Sequence, residues 1–204
     1  MFARFGVKAA IYPQHGWLPG ASVAPTTVTA LLHAVAVVKA GVFAIMRATY
    51  YLFGTQVLSG TWAQNVVMSI AIITICFGSW MALRSKHFKR RLAYSTVSQL
   101  SYILLGVTIM TPAGFTGALS HMIFHALMKI VLFYTAGSVL YMNHKEYIRD
   151  VEGYGEKMPK TEKGWFWALY WQARAYLSHM KEHGVVHAKY VEEMSKEFEN
   201  VFVP

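Results

Sequence analysis

Apolar residues fill the first two thirds of the chain in long blocks separated by short breaks, a rhythm that predicts helices crossing a membrane. A spanning helix needs about 20 mostly apolar residues, and four blocks reach that length: 26–53, 62–83, 92–110 and 115–142. The breaks between them are Gly54 with Gly60, the basic stretch 84–91, and Thr111-Pro112-Ala113-Gly114. A shorter block, 2–18, is interrupted by Pro13 and followed by Pro19. Each proline lacks an N–H, which predicts a break or unwinding at both positions. Broken helices are tolerated at membrane depth only where they face protein or a watery cavity, so this block already points to an ion path. The expected fold is all-α: a polytopic membrane helical bundle with four full transmembrane helices, a broken partial N-terminal helix and a helical cytoplasmic tail. No internal repeat or low-complexity segment stands out.

Beyond residue 142 the pattern changes, which divides the chain into a membrane segment, 1–142, and a cytoplasmic or interfacial tail, 143–204. The tail is charged and mixed, with a dense aromatic stretch at Trp165, Phe166, Trp167, Tyr170 and Trp171. That stretch is short for a span and Trp-rich like an interface anchor. An interfacial or partner-packed helix and a truncated spanning helix both fit it. A soluble helix is expected over 181–202, with Gly184 as its weak point.

Charge sharpens the picture. Of 204 residues, 55% are hydrophobic, 15% aromatic and only 14% charged, against about 25% charged in a typical soluble domain. The net charge of +9 is unevenly spread: residues 1–145 hold eleven Lys and Arg and no Asp or Glu, whereas residues 146–204 hold eight Lys and Arg against ten carboxylates, a balance of −2. The basic residues sit inside or at the ends of apolar runs rather than on one soluble face, which disfavours nucleic acid and favours the lipid bilayer as the surrounding partner. By the positive-inside rule the loop bearing Arg84, Lys86, Lys89, Arg90 and Arg91 is cytoplasmic. The turn 111–114 then lies outside, the turn 54–60 outside, 20–25 inside, and the chain returns to the cytoplasm after Tyr141. Cys76, the one cysteine, lies in an apolar run and reads as a small buried hydrophobe without disulfide or metal chemistry. No cleavable signal peptide is expected, because Arg4, Lys8 and Pro13 replace an apolar core and cleavage site.

The chemistry concentrates in HMIFHALMKIVLF. His121, His125 and Lys129 are spaced i, i+4, i+8, which lines them along one stripe of a helix, each about 6 Å above the last. Such a row suits proton transfer with water bridging the gaps. The competing reading is polar glue satisfied by Ser or Thr on a neighbouring helix, weighed against the cost of a central membrane lysine, about 2.5 kcal/mol or more. Lys39 is another intramembrane lysine, able to take up and release protons where an arginine stays charged; snorkelling is a poor account of it, far from either helix end. His33, six residues earlier and on a different face, fits either a relay or a satisfied core histidine. Lys8 precedes the break at Pro13, as a lysine beside an unwound turn or as an exposed residue of a frayed end. Lys89 borders the third block, as a topology charge or a relay end. His179, His183 and His187 repeat the four-residue spacing, but no acid or cysteine completes a metal site. No redox cofactor is indicated, so electron transfer would belong to other subunits.

These residues fall in long motifs that resemble a known family. VKAAIYPQHGWLPGASVAPTTVTALLHAVAVVKAG is similar to the HxWLPxAxxxAPTxVxALLHAxxVKAG core of proton-antiporter-like membrane subunits. KRRLAYSTVSQLSYILLG and HMIFHALMKIVLFYTAGSVL match two further blocks in the same order, and GYGEKMPKT looks like the loop that follows. The resemblance covers about residues 4–161. The family includes the antiporter-like subunits of respiratory complex I (NADH:quinone oxidoreductase), Mrp-type cation/proton antiporters and membrane-bound hydrogenases. It implies a proton-translocating, itself non-catalytic subunit of a redox-driven complex in the inner, energy-transducing membrane, with an Mrp-type antiporter subunit or a non-conducting structural remnant as alternatives. It implies that Lys8 is the broken-helix lysine, which the family pairs with a glutamate on an earlier helix, that His33 and Lys39 occupy the central relay positions, and that His121, His125, Lys129 and the adjoining Lys89 carry protons along the axis. Full family members have many more spanning helices, and no Asp or Glu lies in residues 1–145 to replace the paired glutamate. Other membrane subunits are therefore expected as partners, one supplying that intramembrane Glu. Two departures stand out: His87 replaces a common Asp, and GWFWALYWQARAYLSHMKEH after Thr161 does not follow the family pattern.

Overall fold

The structure is a computed structural model that describes residues 2–34 and 36–151. The expectations for the aromatic stretch 165–171, the helix 181–202 and the histidines His179, His183 and His187 lie outside the described residues.

The described part is helical throughout, apart from one isolated antiparallel bridge. Helix α1 (Phe2–Lys8) ends before Pro13, with Ala10 in the left-handed region at φ 54° and a cis Tyr12–Pro13 bond. A 3-10 turn, Gln14–Gly16, leads into α2 (Trp17–Ala21). Pro13 interrupts the helix as expected. Pro19 does not: it lies in the first turn of α2, where no intrahelical bond needs its missing N–H. Backbone groups near the break find partners elsewhere. The Trp17 indole N–H donates to the Val7 carbonyl at 2.7 Å, and the Tyr12 N–H donates to Thr74 Oγ1 at 3.2 Å.

The apolar block Thr26–Phe53 is two helices rather than one: α3 (Thr26–Ala34) and α4 (Val37–Arg47). At the junction the Ala36 N–H reaches back five residues, to the Leu31 carbonyl at 3.0 Å, with Ala36 at ψ −80°. A π-helical turn, Ala48–Phe53, follows α4 and stops at Gly54, whose φ of 78° suits glycine. After the short α5 (Thr55–Leu58), α6 (Trp62–Arg84) and α7 (Phe88–Thr108) form an antiparallel hairpin. In it Gly78 lies against the Ser98 backbone, and the Ser79 and Ser98 hydroxyls meet at 2.9 Å. Helix α8 (Pro112–Asn143) starts on a Thr111 cap, with Pro112 in the first turn, where its ring is tolerated. It ends at left-handed His144.

Among the described residues three segments are long and apolar enough to cross a membrane: Thr26–Phe53, Trp62–Arg84 and Pro112–Met142. The expected fourth, 92–110, is present as α7 but begins four residues earlier and takes Lys89, Arg90 and Arg91 into its first turn. Eleven of its 21 residues are buried, so protein rather than lipid surrounds much of it. That tolerates the serines and threonines on its inner face. Packing overturns one expectation. Cys76 is exposed, because the stripe that α6 buries runs through Ala71, Thr74, Ile75, Gly78 and Ala82 and Cys76 lies outside it.

Two apolar clusters hold the bundle. The larger joins Ile11 and Leu18 of the broken segment to Val38, Val42 and Met46 of α4 and to Val97, Leu100, Leu104 and Val107 of α7. The smaller gathers Ala30, Leu92, Met128, Leu132, Phe133 and Ala136 where α3, α7 and α8 meet. The end of α1 seats directly on α4. A Cβ on Gly41 would fall 2.7 Å from the Lys8 Cβ and 2.8 Å from the Ala9 nitrogen, so only glycine permits that approach. The basic loop is clasped by the residues after α8. The Phe88 N–H donates to the Glu146 carbonyl, the Ile148 N–H donates to the Lys86 carbonyl, and His87 Nε2 lies 2.9 Å from Glu146 Oε2. His87, standing where the resemblance leads one to expect Asp, thus meets the first carboxylate in the chain.

Candidate functional site

The stripe on α8 is buried along its length, with His121 8%, His125 0% and Lys129 2% exposed. The His121 and His125 rings stack with centroids 6.1 Å apart and planes 9° from parallel, as expected one helical turn apart. Lys129 reaches across to α7, where its Nζ donates to Ser95 Oγ at 2.6 Å and to the Leu92 carbonyl at 3.1 Å. From α3, the His33 ring tilts over Phe133 at 5.1 Å. Both ring nitrogens of His33 and of His125 are buried with no hydrogen-bond partner among the described residues. Lys39 of α4 is also buried, within Coulombic range of His121, His125 and Lys129, and Lys129 is within range of His33.

Five of the seven residues singled out by sequence therefore converge: His33, Lys39, His121, His125 and Lys129. The helix break at Ala36 separates the first two onto different elements, α3 and α4. Lys8 and Lys89 stand apart. Lys8 is exposed at the end of α1, although its backbone rests on Gly41 two residues from Lys39. Lys89 is half-buried, and its Nζ donates to the Ala24 carbonyl at 3.3 Å, on the loop before α3. Sequence reasoning weighed a Ser or Thr on a neighbouring helix as a partner for this stripe, but it did not single out Ser95 and it missed the Leu92 carbonyl. The hydroxyl-rich YSTVSQLS stretch was the available signal, but it did not say which hydroxyl faces α8.

Chemically this is a line of bases in a low-dielectric interior. Imidazoles and amines exchange protons without leaving covalent products, and a buried permanent charge would be costly. No carboxylate occurs among residues 1–145 to balance the lysines. Among the described residues no group of three or more His, Cys, Asp and Glu is placed to hold a metal ion. A separate cavity of ≈ 160 Å³, lined by residues including Phe5, Ile45, Thr49, Gln64 and Leu104, is almost wholly apolar and touches none of the five buried bases.

This fold and buried row define a class of membrane subunit, and comparison with known proteins specifies it. Residues 1–174 match the family model described as NADH:quinone oxidoreductase/Mrp antiporter, TM, and the chain belongs to that family. It is 39% identical over 134 residues to NAD(P)H-quinone oxidoreductase subunit 5, chloroplastic, of Nuphar advena, which covers 66% of this chain and 17% of that protein. It is 33% identical over 157 residues to NAD(P)H-quinone oxidoreductase chain 4-3 of Nostoc sp., covering 77% of this chain and 28% of that one. The chain thus spans well under a third of the length of these relatives. Among solved structures it is similar to a chain of the membrane-bound sulfane sulfur reductase, an archaeal respiratory membrane complex. There the TM-score is 0.75 at 28% identity, covering 86% of this chain and 38% of that chain. It is also similar to a chain of the Mrp complex from Dietzia sp., with TM-score 0.66 at 29% identity, covering 86% of this chain and 21% of that one.

Proposed function

We propose that this chain is a proton-translocating, antiporter-like subunit of a redox-driven membrane complex of the NADH:quinone oxidoreductase or membrane hydrogenase kind. The observation that carries the reading is the buried row of Lys39, His121, His125 and Lys129, with His33 beside it, in a bundle of the matching family. In this reading protons pass along the row while Lys8 and Lys89 serve its two approaches, and electron transfer belongs to partner subunits. Residues 1–142 form the membrane unit, with α7 as a fourth span that protein shields, and residues 143–204 form a cytoplasmic or interfacial tail. The whole lies in an energy-transducing inner membrane. A partner membrane subunit supplies the intramembrane Glu that balances the lysines, since residues 1–145 contain none. The likeness to the Mrp complex favours a second reading, in which the same row serves cation/proton exchange without redox chemistry.

In the native complex reconstituted into liposomes, Lys8→Ala and Lys39→Ala lower proton translocation several-fold, with electron transfer reduced less, as read by a pH-sensitive dye and by quinone reduction. The 204-residue chain alone shows no cation/proton exchange. Unaltered translocation in both variants removes these lysines from the mechanism. Robust exchange by the isolated chain overturns the need for an external carboxylate.

A further inference from the structure

We infer that Ser95 is a positioning residue for the relay: with the Leu92 carbonyl it forms a carboxylate-free dock on α7 that holds the Lys129 ammonium in line with His125. The inference rests on the proposed function, which makes Lys129 part of the row.

The geometry is specific. Lys129 is among the most deeply buried large side chains, and among the described residues its Nζ has two oxygen partners, Ser95 Oγ at 2.6 Å and Leu92 O at 3.1 Å. The Ser95 hydroxyl donates its own proton to Leu92 O at 2.9 Å, so its lone pairs are turned toward the lysine. The Thr96 hydroxyl also donates to Leu92 O at 2.9 Å, but it is not among the hydrogen-bond partners of Nζ. One backbone carbonyl and one serine thus form the receptor for a buried cation. Neither carries charge, and that matters for a relay. A carboxylate at this distance would hold the ammonium strongly, whereas a neutral dock binds it with a charge-assisted hydrogen bond and still releases its proton. The titratable groups within Coulombic range of Lys129 are His33 on α3, Lys39 on α4 and, on its own helix, His125, all bases rather than acids. With no carboxylate in this group, the Nζ is oriented by the Ser95 hydroxyl, its shorter contact, together with the Leu92 carbonyl. Without the hydroxyl, the carbonyl is the one hydrogen-bond partner left to the lysine among the described residues.

The test is a double-variant comparison in the native complex in proteoliposomes, reading proton translocation per electron transferred. Loss of one charge-assisted hydrogen bond predicts that Ser95→Ala lowers translocation by about tenfold. Ser95→Thr, which keeps the hydroxyl, restores most of it. Thr96→Val, which removes a hydroxyl from the same carbonyl without touching the lysine, leaves it near wild type. In a Lys129→Gln background, Ser95→Ala adds no further loss, because two changes acting through one group are not additive. An additive loss in that background, or a Ser95→Thr variant as impaired as Ser95→Ala, identifies a packing role and overturns the inference. Wild-type translocation in Ser95→Ala also overturns it, and leaves the proposed function standing if Lys129→Gln is impaired. Wild-type translocation in Lys129→Gln overturns both.

Discussion

Lys39 and Lys129 lie in the interior of a bundle whose first 145 residues include no acid, whereas His87 at the loop surface has one within 2.9 Å. The energetic stakes differ accordingly. Exposed ion pairs contribute about 0–1 kcal/mol, and Glu146 is largely exposed, so His87→Ala or Glu146→Ala changes thermal stability in detergent by less than about 1 kcal/mol. Removing the dock of a buried ammonium is felt far more. At this scale the sequence was partly legible. The i, i+4, i+8 spacing of His121, His125 and Lys129 was enough to set them on one stripe, because a single helix carries all three. The partners of Lys129 were not legible, since they come from a helix 34 to 37 residues earlier in the chain. Local periodicity does not report the rotation of one helix against another.

Glycines set the closeness of the helices, and the bundle offers a graded series. On Gly41 an added Cβ meets main-chain atoms of Lys8 and Ala9 at 2.8–2.9 Å; on Gly78 it meets Ser98 atoms at 3.1–3.3 Å; on Gly20 it meets nothing within 4 Å. Overpacking costs roughly 1–3 kcal/mol, so Gly41→Ala lowers the unfolding temperature most, Gly78→Ala less, and Gly20→Ala leaves it nearly unchanged. A thermal-shift assay in detergent ranks them; a Gly20→Ala drop as large as that of Gly41→Ala would falsify the ordering. The existence of the elements was legible from apolar blocks and breakers. Their interruptions were less so. Pro19 looked like a breaker and sits harmlessly in a first turn, while the step at Ala36 has no proline or glycine to announce it. Nothing in LLHAVAVVKAG distinguishes a continuous helix from one whose hydrogen bonds reach back five residues, because that choice is made by what α3 and α4 each pack against.

For the whole molecule, orientation follows from charge. If the loop 84–91 faces the cytoplasm, single cysteines placed at Ser85 and Ala113, with exposed Cys76 replaced by serine, label from opposite sides of the membrane with an impermeant maleimide. Labelling of both from one side defeats the orientation and the four-span arrangement together. The fold class was legible because lipid leaves few alternatives to helices for a chain this apolar. The degree of lipid contact of each helix was not, since it depends on how many neighbours surround it. That is why α7, with its buried hydroxyls, is less apolar than its length suggests, and why Cys76 faces outward.

The seat of α1 on Gly41 also acts as a ruler. Because Lys8 rests on α4 through its own backbone and β-carbon, two residues from Lys39, the spacing between the attachment points of these two cations is a main-chain property, independent of what either side chain carries. Exchanging either lysine for an uncharged residue therefore alters charge, and at buried Lys39 the packing too, while the ruler keeps its length. A change at position 41 does the reverse, stretching the ruler with both charges intact. Positions 8, 39 and 41 together separate how far apart two charges stand from whether they are there at all.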